Sequence, residues 1–149
     1  MRVAILILLA SFCTIFSQEN RSITVEFHPK FAGQELVLDE YLHYNNNYDS
    51  LLIESLRLYI SNLEFHNDDT IYSVPDSYHL VDADDAESLK WELEIPNNFR
   101  FDRMRFNIGI DSATNSAGVF GGDLDPTNGM YWTWQSGYIN FKLEGVSPL

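Results

Sequence analysis

Cysteine is almost absent from this sequence: among 149 residues the single cysteine is Cys13, close to the N-terminus. If the N-terminal segment is removed on export, no thiol remains, which excludes structural disulfides, Cys-ligated zinc and soft thiolate copper sites. A chain of about 130 residues without crosslinks must be stabilised by its own core, and that length is enough for one domain. The aromatic share of 14% provides large side chains for such a core.

Basic residues are also scarce. Nine Lys and Arg stand against 22 Asp and Glu, which gives a net charge of −13 at pH 7. A chain this acidic repels phosphate backbones, and no cluster of Lys and Arg offsets the repulsion, so nucleic acid is excluded as a partner. The acidic charge is open to two interpretations, namely solubility and the attraction of cations.

Long apolar runs are missing as well, since a membrane-spanning helix needs about 20 apolar residues and none is found. Residues 3–9 form a short apolar run that follows Arg2 and precedes Ser17. This arrangement predicts a signal peptide over residues 1–17. We therefore expect a periplasmic or secreted protein whose mature chain has no membrane span. The bulky Phe12 before Cys13 argues against a lipoprotein.

Apolar residues alternate with polar ones through most of the chain, and no period of 3.6 is sustained. Short turn-forming segments separate the alternating runs, which favours a single-domain, all-β antiparallel β-sandwich. The predicted strands cover residues 23–27, 36–38, 56–66, 71–74, 78–81, 89–95, 104–110 and 138–143. We expect a bulge at Ser61 and Asn62, one helical turn within residues 82–88, and irregular structure over residues 112–119.

The segment 121–138 places an acidic, turn-rich loop next to four aromatic residues. Trp132 and Trp134 are two residues apart, so in a strand they project from the same face. Such a pair either caps a core or lines a site, and we expect Trp134 to be buried. If the aromatic side chains are exposed instead, Tyr131, Trp132 and Trp134 would offer a stacking surface for carbohydrate.

The acidic part of this segment is also open to two interpretations. Asp123, Asp125 and Asn128 offer oxygen atoms at close spacing in a Gly-rich loop, as calcium prefers, although the spacing is not that of an EF-hand. The same residue types are ordinary turn formers. A calcium-stabilised carbohydrate-binding or adhesion module is therefore one functional hypothesis.

Signals for catalysis are weak. The sequence has no Gly-x-Ser-x-Gly elbow, no His-Glu-x-x-His motif and no nucleophilic cysteine in the predicted mature chain, so we expect a non-enzyme. Imidazole suits copper, but the four histidines (His28, His43, His66 and His79) form no close pairs. Any copper site must therefore be assembled in three dimensions.

Residues 124–145, LDPTNGMYWTWQSGYINFKLEG, resemble the signature of the MbnP-like (methanobactin-associated) family of copper-binding domains. Three further runs fit in order, namely LYISNL at 58–63, YHLVD at 78–82 and FNIGIDS at 106–112. The resemblance covers residues 22–149, so residues 18–149 are interpreted as an MbnP-like β-sandwich domain. It implies copper binding or handling in the periplasm, beside a dihaem peroxidase-like partner.

The resemblance also bears on the ligands. In copper-binding members a His follows an Asn in the loop after the Gly-Ile strand, and this chain has Ser116 at that place. A mid-chain Trp can be oxidised in those members, whereas residues 74–82 of this chain contain no Trp. His79, in the matching YHLVD run, and His28, before a Pro turn, are the candidate copper ligands. The family domain ordinarily continues with further strands and a His-containing segment. We therefore expect a chain that is incomplete at its C-terminus and exposes a sheet edge.

Overall fold

The computed structural model describes residues 19–43, 50–132 and 136–147, with backbone alone for residues 42 and 43. The predicted signal peptide and the expected burial of Trp134 lie outside these ranges. No helix within them combines the length and apolar character needed to cross a membrane.

Strands dominate the structure, and every strand pairing is antiparallel, which confirms the all-β class. The first strands are β1 Asn20–Glu26, β2 Lys30–Phe31, β3 Gln34–Glu35, β4 Tyr41–His43, β5 Ser50–Asn67 and β6 Thr70–Ser73. The others are β7 Tyr78–Asp82, β8 Lys90–Pro96, β9 Arg103–Ile108, β10 Tyr131–Trp132, β11 Gly137–Tyr138 and β12 Phe141–Val146. The described residues also include the α-helix α1 Ser112–Ala117 and the 3-10 helices Gly122–Leu124 and Pro126–Asn128.

The 18-residue strand β5 is the centre of a six-stranded sheet. Strands β7 and β9 both pair with Ile60 and Ser61, so they must lie on opposite edges of β5. By the same reasoning β4 and β6 share the β7 edge, whereas β12 shares the β9 edge. The expected bulge is confirmed, because the register against β9 shifts between Ser61 and Glu64, and Asn62 has a φ of 52°.

A second, two-stranded sheet of β1 and β8 packs on one face of β5. This core contains Leu63 and Phe65 from β5 with Leu93 and Ile95 from β8, and it makes the domain a sandwich. The second sheet covers only part of the face. Directly paired residues share a face, and the exposed members of β9 and β12 pair with residues of that same face. They are Met104, Ile108, Phe141 and Leu143, and Phe106 lies on the same face by alternation within β9.

The opposite face of β5 is covered by the described part of residues 110–140, a segment that we call the excursion. The Gly109 N–H donates to the Tyr59 carbonyl at 2.7 Å, and the Asn140 carbonyl accepts from the Tyr59 N–H at 3.1 Å. Strands β9 and β12 therefore lie end to end along one edge, and the excursion leaves and returns at Tyr59. Gly109 has a φ of 104°, and a Cβ there would lie 2.6 Å from Asn140 Cγ, so a glycine is required.

Four local predictions were wrong. Residues 112–119 are not irregular, since the Asp111 carboxylate accepts the Thr114 N–H at 3.0 Å and caps α1. Residues 36–38 lie outside the strands because the positive φ of Asp39, 60°, turns the chain at once. The predicted strand 138–143 is interrupted, because Asn140 must meet Gly109 at the junction. Residues 82–88 form turns closed by Asp82 and Asp85 carbonyls rather than a helical turn.

Candidate functional site

Strand β7 places His79 between the two sheets. Its ring stacks on Trp91 of β8, with centroids 4.9 Å apart and an interplanar angle of 8°. On the other side Phe27, just after β1, stacks at 5.6 Å and 21°. His79 is only 8% exposed. The histidine is therefore part of the contact that joins the small sheet to the large one.

Both nitrogens of the His79 ring have polar partners. Nδ1 lies 3.1 Å from Asp123 Oδ2, and Nε2 lies 2.7 Å from the Ser88 carbonyl oxygen. An ionised carboxylate and a carbonyl only accept, so both contacts are hydrogen bonds only when the ring carries both protons. The geometry therefore holds the ring between the Asp123 carboxylate and the Ser88 carbonyl.

Asp123 links the excursion to the outer edge of β7. Its Oδ2 accepts the Leu80 N–H at 3.0 Å in addition to the contact with His79. The hydrogen bond from His79 is the main cause that lowers the pKa of Asp123, with a further contribution from the Leu80 N–H against the opposing effect of burial. The ionised carboxylate thus stabilises the position of the first 3-10 helix against the sheet.

The other two residues of the predicted calcium loop face elsewhere. Asp125 Oδ1 accepts from the Thr127 hydroxyl at 2.6 Å and from the Thr127 N–H at 2.8 Å, and this lowers the pKa of Asp125. The Asn128 side-chain nitrogen donates to the carbonyls of Gly122 and Asp123, each at 3.1 Å. All three side chains therefore make contacts that close turns or bind the loop to β7.

A polar cleft of about 310 Å³ opens beside Asp123. On its wall Arg57 Nε lies 2.8 Å from Asp82 Oδ2, and Arg57 Nη1 donates to the Asn128 carbonyl at 3.1 Å. Its charged lining residues are Arg57, Asp82, Asp85 and Asp123. Three carboxylates against one guanidinium make the cleft acidic, which favours cationic ligands over anionic ones.

The candidate copper ligands have different environments. The His28 side chain is 72% exposed, with Nε2 3.5 Å from Glu26 Oε2, whereas His79 is enclosed. Ser116 lies on α1 with an exposed side chain. Across residues 19–41, 50–132 and 136–147, no three His, Cys, Asp or Glu side chains are grouped in a way that could hold a metal ion.

The aromatic run divides between core and surface. Tyr138 and Met130 are buried beside Tyr59, and Tyr131 packs edge-on against Tyr138 at 5.0 Å. Trp132 is 65% exposed. Of the predicted stacking residues, Trp132 is therefore available at the surface, Tyr131 is half-buried, and Trp134 lies outside the described residues.

Sequence reasoning missed Trp91 because it sought a tryptophan near His79 in the chain. The alternation of Trp91, Leu93 and Ile95 along β8 was a usable signal, since it places all three on the inner face of the small sheet. That face meets β7 only after the two sheets are stacked. Trp91 could therefore be predicted as a core residue, but not as a neighbour of His79.

Comparison with known proteins gives one result. The MbnP family model matches residues 20–148. No curated protein and no solved structure matches the chain. The matched range includes every strand of the described residues, the stacked His79 and the loop around Asp123. The chain therefore belongs to the MbnP family.

Proposed function

We propose that this chain is an exported, non-catalytic protein that binds copper. The observation that carries the proposal is membership of the MbnP family over residues 20–148. The net charge of −13 supports it, because an acidic surface attracts metal cations. Export follows from the signal-peptide pattern of residues 1–17, and a dihaem peroxidase-like protein is the proposed partner.

Support for His79 as a copper ligand comes from the carbonyl that lies at one of its ring nitrogens. Metal-binding histidines usually donate the other ring N–H to a carbonyl or carboxylate, which fixes the tautomer. Here Nε2 faces the Ser88 carbonyl at 2.7 Å, so the nitrogen proposed for copper is Nδ1, which now lies 3.1 Å from Asp123 Oδ2. Copper at Nδ1 would replace the proton that faces Asp123, and the carboxylate stays beside the metal.

His28 is proposed as the second ligand because its ring is open to solvent. Imidazole is a suitable copper ligand, and the described residues offer no thiolate. Since they also group no three ligands of the usual types, the proposed site has low coordination. We therefore expect weaker copper binding than in a site with three histidines.

Competition with a chromophoric copper(I) chelator tests this proposal. His28→Ala and His79→Phe should each lower copper affinity, and phenylalanine keeps the stack between Trp91 and Phe27. His66→Ala is the matched control, because His66 also contacts a carboxylate, that of Glu64, at 3.0 Å. Circular dichroism establishes that each variant is folded.

The outcomes separate the ligands from the function. If neither His28→Ala nor His79→Phe changes the affinity while the wild type binds copper, the ligand assignment is wrong. If the wild type retains no copper against a weak chelator, the function itself is wrong. Loss of binding in His66→Ala to the same extent would show a general effect of histidine removal.

A second candidate function rests on the exposure of Trp132. An indole that is 65% exposed offers a flat surface on which a sugar ring can stack, in line with a calcium-stabilised carbohydrate-binding or adhesion module. Titration with soluble polysaccharides should then shift tryptophan fluorescence, and Trp132→Ala should abolish the shift. Calcium should raise the melting temperature by mass action, and Asp125→Ala should remove that rise. No response to either ligand would leave copper as the proposal.

A further inference from the structure

Strand β12 has one free edge. It pairs with β5 on one side, and no other strand pairs with it among the residues described. The Asn140 carbonyl points to β5, because it accepts the Tyr59 N–H. Since backbone groups alternate along a strand, Phe141 and Leu143 direct their N–H and C=O groups away from β5, up to the register shift between Glu144 and Gly145. Such an edge is a template for another strand.

The sequence of β12 is complementary to itself when read in the opposite direction. Lys142 and Glu144 flank Leu143, and their charged atoms, Nζ and Oε2, lie 3.0 Å apart on one face. Phe141 and Gly145 flank them in turn. In an antiparallel pair centred on Leu143, each Lys142 faces a Glu144, and each Phe141 faces a Gly145.

We propose that β12 pairs with β12 of a second copy of this chain about a two-fold axis through Leu143. The outward N–H and C=O groups of Leu143 then meet those of its own copy, which allows two inter-chain hydrogen bonds on the axis. Two Lys–Glu pairs form across the strands, and opposite charges at such positions stabilise sheets. The pairing joins the two six-stranded sheets into one.

The apolar face of the strand fits the same arrangement. Leu143 is 55% exposed in the single chain, and on the axis it contacts its own copy. Phe141, which is 52% exposed in the single chain, lies on the same face of the joined sheet and is brought near the second copy. The apolar cleft lined by Phe141, Leu143 and Leu56, about 420 Å³ in volume, continues from one copy into the other.

One opposing effect is the charge of the whole chain. Each copy carries −13, so two copies repel at long range. This repulsion is screened beyond about 8 Å at physiological ionic strength, whereas the Lys142–Glu144 pairs act at contact. We therefore expect a concentration-dependent dimer that is weakest at low salt.

Charge exchange tests the register. Lys142→Glu and Glu144→Lys each place like charges across the axis twice, so each should weaken the dimer about ten-fold or more. An equimolar mixture of the two variants should recover dimerisation, because every position 142 then faces an opposite charge at position 144. Lys90→Glu and Glu92→Lys on β8 are the matched controls and should leave the dimer unchanged. Analytical ultracentrifugation over a concentration series measures each dissociation constant.

Several results would overturn the proposal. They are a wild type that stays monomeric at every concentration, a dimer that neither charge variant weakens, and a mixture that does not recover. Leu143→Lys provides a second variant if a charge variant fails to fold, since it places two like charges on the axis at a half-exposed position. A folded Leu143→Lys variant that dimerises as the wild type does would also contradict the proposal.

Discussion

Replacing Tyr138 with phenylalanine removes one oxygen atom from the core of the excursion and leaves the ring in place. The Tyr138 hydroxyl donates to the Leu124 carbonyl at 2.8 Å and accepts from the Phe120 N–H at 3.1 Å. Its ring packs edge-on against Tyr59 at 5.8 Å and Tyr131 at 5.0 Å. The substitution therefore isolates the hydrogen bonds from the packing.

The expected loss follows from the burial of the two partners. Leu124 is 5% exposed, so its carbonyl would lose a partner that water cannot replace, whereas Phe120 is 42% exposed and its N–H can be hydrated. One buried unsatisfied carbonyl costs about 1–2 kcal/mol. In a domain of this size that corresponds to a fall in melting temperature of about 4–8 °C.

Urea denaturation with Tyr131→Phe as the control measures this loss. Tyr131 belongs to the same cluster, and no residue in the described part of the chain hydrogen-bonds to its hydroxyl. The midpoint should fall for Tyr138→Phe at an unchanged m-value, because the surface exposed on unfolding is the same. Equal effects of the two substitutions would refute the argument that the Tyr138 hydroxyl stabilises the excursion.

Three further substitutions probe the junction, the His79 contact and the exposed indole. Gly109→Ala should cost more unfolding free energy than Gly118→Ala, by about 1–3 kcal/mol, because both have positive φ but only Gly109 has a close neighbour. Because the pKa of Asp123 is lowered on folding, its stabilisation is present above the unfolded value of about 4 and is lost as pH falls through the folded value. Asp123→Asn should therefore lose less stability between pH 6 and pH 3 than the wild type does. Urea midpoints at the two pH values measure this loss, and Asp69→Asn at an exposed turn is the control. Trp132→Ala should change the unfolding free energy by less than about 1 kcal/mol, and a larger loss would show that the indole packs against the domain.

The strands were predictable because alternation is a local property of the sequence. The runs at β1, β5, β6, β7, β8 and β9 each carry enough alternating residues to indicate a strand, and the bulge was visible as the polar pair Ser61 and Asn62 between apolar runs. Loop and helix boundaries were less predictable, because they depend on single polar contacts such as the cap at Asp111.

The surroundings of His79 could not be predicted, because they depend on stacking and register. Asp123 lies 44 residues along the chain from His79, and Trp91 reaches it only from the second sheet. The residue types were noticed individually, with Asp123 as a possible calcium ligand and His79 as a possible copper ligand. Their pairing follows from the return of the excursion across β7, which no local pattern encodes.

Because the excursion returns to its starting point, changes in its length are independent of changes in the sheet. Residues 110–140 begin and end beside Tyr59, so their two ends are already adjacent when the sheet is complete. Insertions or deletions between these ends change the closure entropy only slowly, by about 0.6 kcal/mol for each doubling of length. Descendants of one ancestral gene can therefore diversify this segment, and whatever it binds, while β9 and β12 keep their places on β5.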